Sequence, residues 1–196
     1  MSKKINSEYI AELTEEMSRN SMIDYEELPK YDLFLSQVID YLNDKFTEDK
    51  YTNNIVQNYI KSEVITKPED GKKRGYTKLH LVQLVLLSYM RPVLTTDEIK
   101  KVFSLAFNEI NDRTDDIISW ETAYKVFAET QKESLDSFLS TSADTEERLD
   151  DLVKELNLNE SEEDKIKTFM LVLSLIAQAS VIKKLVQKIV KEQHGE

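Results

Sequence analysis

The sequence predicts a mainly α-helical protein interrupted by one small β-hairpin. Glycine and proline are scarce, three of each in 196 residues, so little stands in the way of helix. Apolar residues recur at three- and four-residue spacing along most of the chain. Two of the three glycines and one proline fall together in "TKPEDGKKRGYT", residues 66–77, where the chain must turn sharply.

Residues 7–19 place Tyr9, Ile10, Leu13 and Met17 on one helical face, with Ser7 a candidate cap. Pro29 breaks the pattern. A second helix is expected over roughly 31–46, burying Phe34, Val38, Tyr41, Leu42 and Phe46. Thr52 caps a third, whose inner stripe is Val56, Tyr59, Ile60 and Val64. "VITKP" and "RGYT" then read as two short strands joined at Gly71, with Ile65 and Tyr76 anchoring the hairpin on its neighbours. Thr77 opens a strongly apolar helix that stops at Arg91-Pro92. Thr95 and Glu98 form a capping box for the next, which buries Ile99, Val102, Phe103 and Phe107.

In the second half, Trp120, Ala123, Tyr124, Phe127, Leu135 and Phe138 share a helix face, and "STSADT" reads as a loop. A short helix follows with Leu149, Leu152, Val153 and Leu156 inward. A last helix starts near Ser161 behind acidic residues and ends among lysines, matching the helix dipole at both ends. Its centre is apolar nearly all round, which predicts burial on several sides, either by the rest of the second half or by another subunit.

Several chemistries are excluded. Without cysteine there are no disulfides, thiolate metal sites or cysteine nucleophiles, and a reducing cytosol is the expected setting. The N-terminus turns acidic without an apolar signal core, so no secretory peptide is expected. The uncharged run Thr168 to Ile182 is shorter than the roughly 18 residues of a membrane span, so it is read as protein interior and no membrane partner is expected. His80, the only internal histidine, has no second histidine or cysteine to make a metal site or triad and is read as a packing or surface residue. No Gly-rich phosphate cradle or nucleophile elbow occurs, so neither enzyme activity nor a cofactor is expected.

The formal net charge is −11, but it is unevenly spread. Residues 1–49 carry 5 Lys/Arg against 12 Asp/Glu, residues 50–105 carry 10 against 5, and residues 106–196 carry 11 against 20. A basic middle between acidic ends suits an anion-binding module attached to solubilising or partner-binding helices.

Two helices around a turn, a wing, an apolar helix and then "LTTDEIKK" resemble the MerR winged helix-turn-helix domain, through "VQNYIKSEVITKP" and "GKKRGYTKLHL". The resemblance covers roughly residues 33–105. It implies that the second helix of the pair enters the DNA major groove while the wing grips the backbone. "LPKYDLFLSQVIDYLND", "YTNNIVQNYIKSEVITKP" and "MRPVLTTDEIKK" look like a bacterial family described as a domain of unknown function, number eighteen thirty-six, which implies no activity. The expected organisation is an N-terminal helical extension (1–30), a winged helix-turn-helix (31–110) and a helical dimerisation or effector region (111–196).

The candidate site follows from these elements. Asn53, Asn54, Gln57, Asn58 and Lys61 form one face of the third helix: four amides in six residues, with no acid among them. Amides donate and accept at once and so read adenine edges, whereas a solvated face is usually Glu- and Lys-rich. Lys72, Lys73, Arg74 and Lys78 add phosphate contacts, and Tyr76, which anchors the hairpin, is taken with them as a DNA-binding residue. The expected function is a cytoplasmic DNA-binding transcriptional regulator. Its expected partners are double-stranded DNA, a second copy through the C-terminal helices by analogy with dimeric DNA readers, and an effector molecule or protein. The alternative is a non-catalytic interaction module that keeps the winged fold without DNA. It is motivated by the overall charge, by Glu48 and Asp49 in the turn, and by Gln57, Asn58 and Tyr59 standing where MerR proteins usually have an arginine.

Overall fold

A computed structural model describes residues 6–68 and 75–195. Seven α-helices occur among them: α1 (Ser7–Ser21), α2 (Leu35–Lys45), α3 (Asn53–Lys61), α4 (Lys78–Met90), α5 (Thr96–Ser104), α6 (Trp120–Lys154) and α7 (Glu160–Gln193), with one 3₁₀ turn at Tyr25–Glu27. They divide into two compact units, Asn20–Glu129 with Gln187–Glu196, and Met1–Arg19 with Thr130–Val186.

The first of these units holds most of the buried apolar side chains. Helix α2 packs on α3 and α4, closing a core of Val38, Leu42, Val56, Leu81, Leu84 and Leu87, all fully buried. Helix α4 is buried on nearly every side, as its uniform hydrophobicity requires. A second cluster is aromatic: Phe107 stacks on Trp120 with centroids 3.5 Å apart, and Phe103 meets the same indole edge-on at 5.0 Å. Tyrosine hydroxyls withdrawn from solvent find acceptors: buried Tyr124 donates to the Ile23 carbonyl at 2.9 Å and part-buried Tyr89 to the Ser21 carbonyl at 2.6 Å.

The expected β-hairpin is not formed: no β-strand exists among the described residues, and the fold is all-helical rather than a winged helix-turn-helix. The two arms bond elsewhere. Tyr76 exchanges backbone hydrogen bonds with Leu33 (3.2 and 2.8 Å), an isolated antiparallel bridge. The Thr66 N–H donates to Gln83 Oε1 at 2.9 Å, the Thr66 hydroxyl to the Ile110 carbonyl at 2.8 Å, and the Lys67 N–H to Asn111 Oδ1 at 2.9 Å. The backbone groups named in each arm are thus engaged with helices and loops and not with the other arm. The expected tip, with Gly71, Lys72, Lys73 and Arg74, lies outside the described residues. The Leu33 bridge also explains why α2 starts at Leu35 rather than near 31: residues feeding it must be extended.

The second unit comprises most of α1, the later part of α6 and most of α7. "STSADT" is not a loop there, because α6 runs unbroken through it. Thr141 and Thr145 turn their hydroxyls back onto the carbonyls of Ser137 and Thr141, both at 2.9 Å, which lets these residues sit inside a helix. Ile10, Leu149 and Leu171 line one crevice, beside which Lys167 donates to Asp150 at 2.7 Å. That hydrogen bond raises the lysine's pKa. Among the described residues, the buried apolar side chains of this unit are only Ile10, Val153 and Leu171. The burial expected for α7 is likewise not found in the single chain. Phe169, Val172, Ile176, Val181, Ile182 and Leu185 are all about half exposed or more. By length and composition α7 could cross a membrane, and 6% of its most apolar stretch is buried.

Candidate nucleic-acid interface

Helix α3 is short, and the chain on both sides of it is tied down. Thr52 Oγ1 accepts from the Ile55 N–H at 3.3 Å, capping the helix at the residue the sequence indicates. Just before it, the Asn43 side chain clamps Tyr51 from both sides, accepting from its N–H at 2.6 Å and donating to its carbonyl at 3.0 Å. The Tyr51 ring is buried, and its hydroxyl reaches the Leu84 carbonyl (3.1 Å) and Ser88 Oγ (2.9 Å) on α4. Burial raises its pKa. At the far end, Glu63 takes a left-handed conformation (φ 55°), and Val64 donates back to the Tyr59 carbonyl at 2.9 Å.

This frame turns Val56 inward and leaves Asn53, Asn54, Asn58 and Lys61 exposed. Gln57 is half-buried instead, its Nε2 donating to the Tyr76 hydroxyl at 3.4 Å. Tyr76 is itself buried, and burial raises its pKa against the opposing pull of Gln57. Gln57 and Tyr76 thus join α3 to the segment leading into α4. Lys78 is directed elsewhere: its ammonium stands 3.5 Å over the ring of Tyr25, and burial lowers its pKa. Lys72, Lys73 and Arg74 lie outside the described residues.

Sequence reasoning passed over the support of the turn. Arg91 Nη2 donates to the Asp49 carbonyl at 2.7 Å and lies 3.9 Å from its carboxylate, while the guanidinium sits 4.4 Å over the Tyr51 ring. Arg91 thus faces Asp49, while both Asp49 and the neighbouring Glu48 stay exposed. Only the adjacent Arg91-Pro92 helix stop was visible beforehand, and nothing in it links Arg91 to a residue forty positions earlier. Beside the amide row, Ile55, Tyr59 and Thr96 join Asn58 and Lys61 around a shallow cleft of about 540 Å³. Among the described residues, no three His, Asp or Glu side chains are grouped to hold a metal ion. His80 is buried, and its Nδ1 accepts from the Thr77 N–H at 3.0 Å, closing the first turn of α4.

The profile of the family described as Domain of unknown function (DUF1836) matches residues 23–127, more than half of the chain. The chain belongs to this family. The matched region contains α2 to α5 and the amide row of α3, so that row lies inside the DUF1836 domain. No curated protein and no solved structure matches the chain.

Proposed function

We propose that the DUF1836 region of this protein reads double-stranded DNA through α3, and that the protein is a cytoplasmic, non-catalytic transcriptional regulator. One observation carries the reading: Asn53, Asn54, Asn58 and Lys61 point to solvent from a rigidly held helix without a single carboxylate. An asparagine amide donates and accepts side by side, as the major-groove edge of adenine requires, and a lysine beside it neutralises a phosphate. The Asn43 clamp and the Gln57–Tyr76 contact supply the fixed geometry that such contacts need. The reading depends neither on a wing nor on the comparison with MerR proteins. The cations Lys72, Lys73 and Arg74 enter it by sequence position.

The test is selection of bound fragments from genomic DNA, followed by fluorescence anisotropy at about 50 and 200 mM salt. Affinity should fall steeply with salt. Asn54→Ala with Asn58→Ala should erase sequence preference at a cost of about 1–3 kcal/mol per lost base contact, and Lys61→Ala should reduce the salt slope by about 1. Absence of salt-dependent binding at the lower salt would overturn the proposal. The second reading, a protein-interaction module, is favoured by the exposed Glu48 and Asp49 at the mouth of α3, which repel phosphate. It predicts a basic protein partner bound on the same face with no DNA.

A further inference from the structure

Helix α7 carries an apolar surface that the chain itself does not cover. From Ile176 to Leu185 every residue is exposed, and the unit containing this stretch buries only Ile10, Val153 and Leu171 among its described apolar side chains. So thin a core does not offset the conformational entropy of ordering long helices. Something must complete it.

We propose that the occupant is a second copy of this chain, with the two α7 helices antiparallel about a two-fold axis passing between Leu175 and Ile176. The sequence of the helix is self-complementary in that arrangement. Its first turns carry Glu160, Glu162 and Glu163, and its far end carries Lys183, Lys184, Lys188 and Lys191; of these, Glu162 and Lys191 flank the paired face, while Glu163 and Lys188 lie on the side of Val181. Antiparallel pairing lays the acidic end of one copy along the basic end of the other and opposes the helix dipoles favourably; parallel pairing would align like charges. The same axis exchanges Phe169 with Ile182 and Val172 with Ala179, and brings Ile176 against Leu175, so one helix face meets itself with apolar side chains at every level. A lipid bilayer fits less well. The uncharged run Thr168 to Ile182 extends about 22 Å as helix, against a hydrocarbon core of about 30 Å, and contains Ser174, Gln178 and Ser180. This inference stands independently of the DNA reading.

Sedimentation equilibrium of the full chain should give twice the mass of one chain. Ile176→Glu, on the paired face, should weaken association about a hundredfold or more, since two carboxylates are buried per dimer. Val181→Glu, on the opposite face, should leave the dimer intact. Both side chains are exposed in the single chain, so neither change removes a contact within it; Val181→Glu should keep the helical circular dichroism of the parent, and Ile176→Glu should lose part of it together with the dimer. Because the chain has no cysteine, engineered thiols report on direction. Ile176→Cys should form an intermolecular disulfide on mild oxidation, and Ile182→Cys should not, its twin lying about 20 Å away along the axis. Four outcomes would overturn the proposal: a monomer at micromolar concentration, equal loss of association in both glutamate variants, equal cross-linking at both cysteines, or flotation with lipid vesicles in place of dimerisation.

Discussion

Replacing Gln83 with leucine should destabilise the unit that contains α2 to α5 by about 2–3 kcal/mol, although leucine fills nearly the same volume. Gln83 is fully buried, accepts from the Thr66 N–H at 2.9 Å and donates to the Thr66 hydroxyl at 2.8 Å. Each lost hydrogen bond removes about 1 kcal/mol net, and the part-buried Thr66 N–H, left without its acceptor, adds about 1 kcal/mol more. For a protein of this size the loss corresponds to a fall of roughly 4–12 °C in Tm. Urea unfolding followed by fluorescence is the natural assay, because the single tryptophan, Trp120, is buried in that unit and reports on it. Thr66→Val completes a double-mutant cycle, in which coupling of about 0.5–3 kcal/mol is expected for side chains in direct contact. If Gln83→Leu leaves the midpoint unchanged, the Thr66 backbone is bonded elsewhere, and the account of why no hairpin forms fails with it.

Asn43→Ala should cost about 2 kcal/mol in the same assay, since it removes both hydrogen bonds to the Tyr51 backbone; it should also weaken any DNA affinity by freeing α3 while its exposed amides stay intact. Stability should be level at neutral pH and fall under alkaline conditions. Burial raises the phenol pKa values of Tyr51, Tyr76 and Tyr124 and pushes Tyr41 up to about 12. A raised folded-state pKa contributes stability that is complete below the ordinary value of 10.0 and is lost as pH rises through the folded value. Urea midpoints measured from pH 8 upward should therefore begin to drop near pH 10, and a flat profile through that range would contradict the burial of these rings.

Local signals were legible where a residue acts on its immediate neighbours. Thr52 and Thr95 cap the helices they precede, with Glu98 completing the box at Thr95, and Val38, Leu42 and Val56 are buried as their spacing indicates. The hairpin failed for the opposite reason. Turn chemistry marks where a chain can reverse, but strand pairing requires that no better partner exist, and Gln83, Asn111 and Leu33 were better partners drawn from distant positions. The exit from α3 carried no glycine to announce it, because Glu63 takes the left-handed position itself. The hydroxyl-rich stretch in α6 carries a loop-like composition, since serine and threonine compete for backbone bonds, yet the Thr141 and Thr145 hydroxyls bond within the helix.

For the candidate site, the sequence located the amide row on α3, since a helix of known phase fixes which residues share a face. It could not separate Gln57 from the asparagines beside it, or Lys78 from the hairpin cations. What distinguishes them is Tyr76 reaching Gln57 and Tyr25 receiving Lys78, contacts between segments far apart in the chain.

The sequence by itself determined the helical class of this protein, the caps that start its helices, the uneven charge and the apolar character of α7, because each depends on residues within a turn or two of one another. Only the tertiary structure decided that the arms around Gly71 part company, that α6 is continuous, and that α7 stands uncovered in one chain. Those outcomes rest on competition among distant partners for the same backbone groups and the same apolar surface, and a linear pattern does not record who wins it.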